Sequence, residues 1–135
     1  MSQAHPVADP AHLARIAQVA VNARDLPRAV AFWRDVLGLK LLFEVHGHMA
    51  FFDVGGVRVM LALPEKKEFD HASSILYFAV QDIHAAHARL VECCVAFRSE
   101  PVLVAKMPDH ELWMAFFTDS EGNTLALSSE VRNGR

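Results

Sequence analysis

The chain has 135 residues, of which 53% are hydrophobic and 21% charged, so it is long enough for one domain with an apolar core and too short for a two-domain enzyme. Its 16 acidic and 13 basic side chains give a net charge of -3, and the scattered basic residues argue against nucleic-acid binding. Its apolar runs are far shorter than the ~18 residues of a membrane span, and residues 1–15 lack the pattern of a signal peptide. We therefore expect a soluble cytoplasmic protein with reduced thiols and no nucleic-acid or membrane partner.

The first half of the chain predicts a strand, a helix and three further strands. Asp25 can cap the helix, because its carboxylate accepts hydrogen bonds from the free backbone N–H groups of the first turn. Val30, Trp33 and Leu37 follow at three- and four-residue spacing and give the helix one apolar face. Gly55-Gly56 predicts a tight hairpin, since glycine tolerates the positive φ that such turns require. The predicted elements are a strand at 16–23, a helix that ends at Gly38, and strands at 39–45, 49–54 and 57–63.

The second half predicts the same order of elements. Asp82-Ile83 repeats Asp25-Leu26, residues 119–122 repeat residues 53–56, and we place about nine extra residues of the second copy in 98–111. The alternative is a generic α+β sandwich in which the repeat is chance. The predicted elements are a strand at 75–80, a helix from Asp82 to about Cys93, a strand at 95–104 interrupted near Pro101, and strands at 112–118 and 123–128.

Three segments taken together resemble the vicinal oxygen chelate superfamily, which contains glyoxalase I, extradiol dioxygenases, and the fosfomycin and bleomycin resistance proteins. The segments are Gln18-Val19-Ala20-Val21 with Asp25-Leu26, the run AFWRDVLGL at 31–39, and the run DSEGN at 119–123. The resemblance implies an α+β fold in which two tandem βαβββ modules, at about 16–63 and 74–130, form a cup-shaped curved mixed sheet. It also implies one glyoxalase/bleomycin-resistance-like domain at 16–131 after an N-terminal tail at 1–15, and a homodimer.

The resemblance places the metal ligands of the superfamily at Gln18, Met60, Ile75 and Ala126. A catalytic divalent ion needs three or four nitrogen, oxygen or charged donors, because each donor replaces strongly bound water. Gln18 offers one amide oxygen and Met60 a soft thioether, while the other two side chains offer no donor. We therefore predict a cup without a metal ion and without any other cofactor.

Two catalytic alternatives remain open. A metal-dependent lyase or dioxygenase is one, if an unusual set of side chains holds the ion. The members of that set are Gln18, His48, His110 and Glu111. In the other, His110 or Glu111 performs metal-free acid–base catalysis beside Tyr77. These two candidate catalytic residues end the extra segment 98–111, which we predict as a loop lengthened over the cup mouth, and a structural role is the competing interpretation.

Strand alternation predicts which side chains line the cup. Tyr77 offers an aromatic ring with a hydroxyl and Arg58 a cation with five donors, so the wall suits a small apolar or aromatic ligand with an anionic or carbonyl group. An exposed position or an internal ion pair is the alternative for Arg58, and a core position is the alternative for Trp113. The predicted ligand-binding residues are Gln18, Arg58, Met60, Tyr77, His110 and Trp113. The predicted function is a small-molecule-binding protein of the bleomycin-resistance type that encloses its ligand without turnover.

The second helix carries two further expectations. His84 and His87, three residues apart, fit solvated positions on its outer side. Cys94 follows this helix where Gly38 follows the first one and where relatives commonly have glycine, so left-handed backbone there would carry about 1 kcal/mol of strain. Cys93 and Cys94 are adjacent and poorly placed to bridge each other, which leaves two free thiols.

Overall fold

The computed structural model describes residues 12–132, so residues 1–11 of the predicted tail lie outside the described residues. The first four-stranded sheet contains β1 (Gln18–Asn22), β2 (Lys40–Val45), β3 (Met49–Val54) and β4 (Val57–Ala62) in the order β1-β4-β3-β2. The second contains β5 (Leu76–Ala79), β6 (Val102–Lys106), β7 (His110–Thr118) and β8 (Thr124–Arg132) in the order β5-β8-β7-β6. In each sheet the first strand pairs in parallel with the last, and the other pairs are antiparallel. The predicted α+β fold of two βαβββ units is confirmed.

Each helix begins at the aspartate that the sequence predicts. The helices are α1 (Leu26–Ala31), which continues as a π-helical turn (Phe32–Val36), and α2 (Ile83–Glu92). The Asp25 carboxylate accepts a hydrogen bond of 3.1 Å from the backbone N–H of Arg28, and Asp82 accepts one of 3.0 Å from the N–H of Ala85. Each helix packs on the last two strands of its own sheet. Within residues 12–132, no helix is long and apolar enough to cross a membrane.

The apolar core lies between the helices and the sheets and is continuous across both halves of the chain. The fully buried ring of Trp33 lies 6.0 Å from Phe52 in the first sheet and 6.0 Å from Phe78 in the second, measured between centroids. Its indole Nε1 donates a hydrogen bond of 3.1 Å to Oδ2 of Asp119. A residue of the predicted apolar face of α1 therefore joins the two halves.

Glu121 connects the second half of the chain to the start of α1 through hydrogen bonds and an ion pair. Its side chain is only 1% exposed, and its Oε1 accepts hydrogen bonds from the backbone N–H groups of Arg24 at 2.7 Å and Asp25 at 2.9 Å. Its Oε2 lies 2.7 Å from Nε of Arg28. Burial opposes ionisation, but the hydrogen bonds from Arg28, Ser120 and the two N–H groups prevail and lower the pKa of Glu121 to about 2. We call Glu121 with Arg24, Asp25 and Arg28 the Glu121 clasp.

The region before β7 differs from the prediction. Of the strand predicted at 95–104 with an interruption near Pro101, only the part after the interruption forms, as β6, because Pro101 cannot donate to a strand ladder and Phe97 makes only an isolated bridge to β7. The lengthened loop over the cup mouth is wrong. The second copy has nine residues in each of β7 and β8, against six in each of β3 and β4, so His110 and Glu111 belong to a strand.

Left-handed backbone occurs where the sequence predicts it. Gly55 and Gly56, with φ of 58° and 93°, form the turn between β3 and β4. Cys94 has a φ of 67°, close to the 73° of Gly38 at the matching position of the first half. Cys94 therefore holds a side chain in a conformation that favours glycine.

Candidate functional site

The first sheet has one face toward the core and one face away from it. Val21, Val59 and Leu61 are buried on the core side. The alternate residues point to the other side, where Gln18 pairs with Arg58 across the ladder. We call this surface the first cup face, and its side chains are those of Gln18, Ala20, Asn22, Phe43, Met49, Phe51, Asp53, Arg58, Met60 and Ala62.

The four metal positions implied by the resemblance do not form a donor set for a divalent ion. Nε2 of Gln18 lies 3.8 Å from Sδ of Met60, so the amide donates to a thioether. Ala126 is a fully buried methyl group, and Ile75 precedes β5 without a donor atom. Nowhere in residues 12–132 do three His, Cys, Asp or Glu side chains form a group that could hold an ion. The side chains at these four positions therefore do not fit a catalytic metal ion.

Arg58 lies over an aromatic pair on the first cup face. Its guanidinium carbon is 5.7 Å from the centroids of both Phe43 and Phe51, and the two rings stack 4.6 Å apart. A register shift between Leu41 and Phe43 brings Phe43 opposite Phe51. Among the described residues no carboxylate forms an ion pair with Arg58, although Asp53 is its neighbour across the ladder. Alternation in β3 could have identified Phe51, but no signal in the sequence identifies the bulge that positions Phe43.

Two cavities adjoin the first cup face. One has a volume of about 300 Å³ and a largely apolar wall that includes Met49, Met60 and Phe69. The other has a volume of about 260 Å³ and a polar wall that includes Gln18 and Arg58. The face therefore offers adjacent apolar and charged subsites, which is the usual composition of a small-molecule site.

The linker between the two halves covers one end of this face. Nδ2 of Asn22 donates hydrogen bonds to the carbonyl oxygens of Phe69 at 3.0 Å and His71 at 2.7 Å. The backbone N–H of Asn22 donates to Oγ of Ser73 at 3.1 Å. These bonds hold Phe69 and His71 at the wall of the apolar cavity. These linker residues are not among the predicted ligand-binding residues.

The second sheet has a corresponding open surface. We call it the second cup face, and its side chains include those of Tyr77, Ala79, Met114, Phe116, Thr124, Ala126 and Ser128. Tyr77 is 49% exposed, and its ring lies edge-to-face with Phe116 at 5.7 Å between centroids. Among the described residues, those that line the two cavities beside Met60 and Arg58 all lie between Arg15 and Ser73. Tyr77 is thus on a different wall from Gln18, Arg58 and Met60.

The other predicted site residues lie apart from Tyr77. Nδ1 of His110 is 2.8 Å from Oδ1 of Asp109 at the start of β7, and six residues of strand, about 20 Å, separate His110 from Phe116. Trp113 packs against the core, and its Nε1 donates a hydrogen bond of 3.2 Å to Oε1 of Glu111.

His48, His84 and His87 do not line the cavities of the first cup face. His84 is exposed as predicted, with its ring 5.2 Å from Trp113, whereas His87 is half-buried, with its ring 4.4 Å from Phe97. His48 lies in the turn between β2 and β3, in the opposite half of the chain from His110 and Glu111. Within residues 12–132, His48, His110 and Glu111 do not come together as a group that could hold a metal ion.

A further cavity of about 580 Å³ lies between the two halves. Its wall is largely apolar and includes the core-side residues Leu90 and Phe117. Arg89 also lines it, and Nη1 of this arginine donates a hydrogen bond of 3.1 Å to the carbonyl oxygen of Val36. This cavity is separate from those on the first cup face.

Known proteins share this fold. Residues 15–127 match the family model described as the Glyoxalase/Bleomycin resistance protein/Dioxygenase superfamily. No curated protein matches the chain in sequence. The solved lactoylglutathione lyase from Agrobacterium tumefaciens is 21% identical, with a TM-score of 0.69 over 87% of this chain and 95% of that chain. A solved protein of the superfamily from Sphaerobacter thermophilus is 23% identical, with a TM-score of 0.70 over 87% and 98%. Identities this low show a common fold only.

Proposed function

Because this chain belongs to the Glyoxalase/Bleomycin resistance protein/Dioxygenase superfamily, we propose that it binds an apolar or aromatic small molecule in a cup that holds no metal ion. The observation that carries the proposal is the apolar cavity of about 300 Å³ beside Met60, at one of the superfamily's metal-ligand positions. A thioether, methyl groups and a phenylalanine ring there stabilise a bound apolar group by burial, at ~25 cal/mol per Å². We expect the ligand to leave unchanged, because among residues 12–132 no group of three metal-ligating side chains adjoins the cavity.

We infer that a second copy of the chain completes the cup. Large apolar side chains are exposed on both cup faces, with Phe43 45% and Tyr77 49% exposed. A two-fold axis would place the second cup face of one copy over the first cup face of the other and enclose the ligand between the two sets of rings. Light scattering should then give the mass of two 15.0 kDa chains, and Tyr77→Arg should shift the protein toward one. A monomer at every concentration would contradict this assembly.

A neutral aromatic ketone, 2-acetylnaphthalene, tests the binding function. Calorimetric titration of the full chain should give saturable binding, and the ketone should be recovered unchanged after long incubation. Met60→Trp fills the apolar cavity and should weaken binding at least about tenfold. Met107→Trp is the matched control, because Met107 is 45% exposed outside both cup faces. Conversion of the ketone, or equal binding by both variants, would contradict the proposal.

A further inference from the structure

We propose that the ligand of the first cup face is an aromatic monocarboxylate, held with its carboxylate at Arg58 and its ring system toward Met60. This inference rests on the proposed function, because it concerns the same cup. It adds the charge of the ligand and the direction in which the ligand lies.

The register of the first sheet places a polar row of side chains next to an apolar row. Gln18, Asp53 and Arg58 lie side by side on three neighbouring strands, and Ala20, Phe51 and Met60 form the next row. Successive rows are two residues apart, or about 7 Å. The polar cavity of about 260 Å³ adjoins the first row, and the apolar cavity of about 300 Å³ adjoins the second row and extends beyond it. An elongated ligand with one charged end therefore matches the face.

The position of Arg58 favours a carboxylate at the polar end. Its guanidinium lies over the rings of Phe43 and Phe51, and within residues 12–132 it has no carboxylate partner. A cation–π contact uses none of the guanidinium N–H groups, and no acceptor among the described residues takes them, so they can donate in parallel to a carboxylate. Phe43 is 45% exposed beside this position, so an aromatic ring that follows the carboxylate can pack on it.

The charges around the polar cavity favour one negative charge on the ligand. Arg15 and Arg58 contribute two positive charges to its wall, and Asp53 contributes one negative charge. The net charge of the wall is therefore +1 and matches a ligand with one negative charge. A ligand with two negative charges would leave one of them unbalanced next to Asp53. The two residues facing each other across the ladder should have opposite effects, since Arg58 attracts the carboxylate and Asp53 repels it.

The test compares 2-naphthoate with 2-acetylnaphthalene, which share a ring system and a carbonyl group and differ in charge. In calorimetric titrations of the full chain, 2-naphthoate should bind at least about tenfold more tightly, as expected for a charge-assisted hydrogen bond. Arg58→Gln should remove this preference, because it weakens the binding of 2-naphthoate far more than that of the ketone. Asp53→Asn should tighten 2-naphthoate about threefold, because it removes a repelling charge.

Arg89→Gln is the matched control, because it removes the same charge at the cavity between the two halves. It should change neither affinity, and the melting temperature of each variant reports its folding. Equal affinity of the unsubstituted chain for both probes would overturn this inference and leave the proposed function standing. Loss of 2-naphthoate binding in Arg89→Gln but not in Arg58→Gln would also overturn the inference. Failure of both probes to bind would overturn the proposed function itself.

Discussion

The two halves of the chain repeat one order of elements but carry different chemistry. In the first half, Gly55-Gly56 makes a tight turn, and Gln18 and Arg58 lie on the open face of the sheet. In the second half, the matching loop carries Asp119 and Glu121, which bind groups of the first half, while the open face is mainly methyl and aromatic. The comparison indicates that the second half holds the fold together and that the first half presents most of the polar groups for a ligand.

Replacing Trp33 should have the largest effect, because it breaks the connection between the halves. Trp33→Phe removes the donor to buried Asp119 and leaves a gap among the rings, so we expect the free energy of unfolding in urea to fall by about 3 kcal/mol. Trp113→Phe is the matched control in the second half, where a partly buried indole donates to Glu111. It should cost under about 1 kcal/mol. Equal losses would contradict a special role for Trp33.

The Glu121 clasp should make stability depend on acid pH. The pKa of Glu121 is lowered from 4.5 to about 2 in the folded chain, so its contribution is complete above pH 4.5 and is lost as the pH falls toward 2. We expect a loss of about 2 kcal/mol over this window, allowing for screening at half-exposed Arg28. Glu121→Gln should be less stable at neutral pH and should show a flatter pH profile.

Asp35→Asn provides the control for the clasp, because Asp35 pairs with exposed Arg34 within the first half. Its profile should stay close to that of the unsubstituted chain, since exposed pairs contribute little. If Glu121→Gln and the unsubstituted chain gave parallel profiles, Glu121 would not be the titrating group.

The smallest expected change in the free energy of unfolding concerns the left-handed residue at the end of each helix. Cys94→Gly should raise the free energy of unfolding by up to about 1 kcal/mol, because glycine adopts the left-handed conformation without strain. Gly38→Ala should lower it by a similar amount through the backbone alone, since a new Cβ at Gly38 meets no atom within 4 Å. A lower melting temperature for Cys94→Gly would refute this explanation of the second helix end.

Local signals predicted most of the fold because caps and turns depend on few atoms. Asp25, Asp82 and Gly55-Gly56 act on their immediate neighbours, and the structure places them as expected. Long-range pairing was harder to predict. The bulge in β2 brings Phe43 onto the first cup face, and strand length separates His110 from the aromatic pair of the second face. Neither the bulge nor the strand length follows from the order of residues. The contact of Arg58 with Phe43 and Phe51 was therefore not predicted.

The most direct test of a metal-free cup is a metal titration of the full chain purified without chelator. Zinc, nickel, iron(II) and manganese(II) would each be added, with bound metal measured by elemental analysis and the affinity for 2-acetylnaphthalene measured alongside. We expect less than about a tenth of an equivalent of bound metal and an unchanged affinity. One equivalent of metal that is lost in Gln18→Ala would contradict the claim.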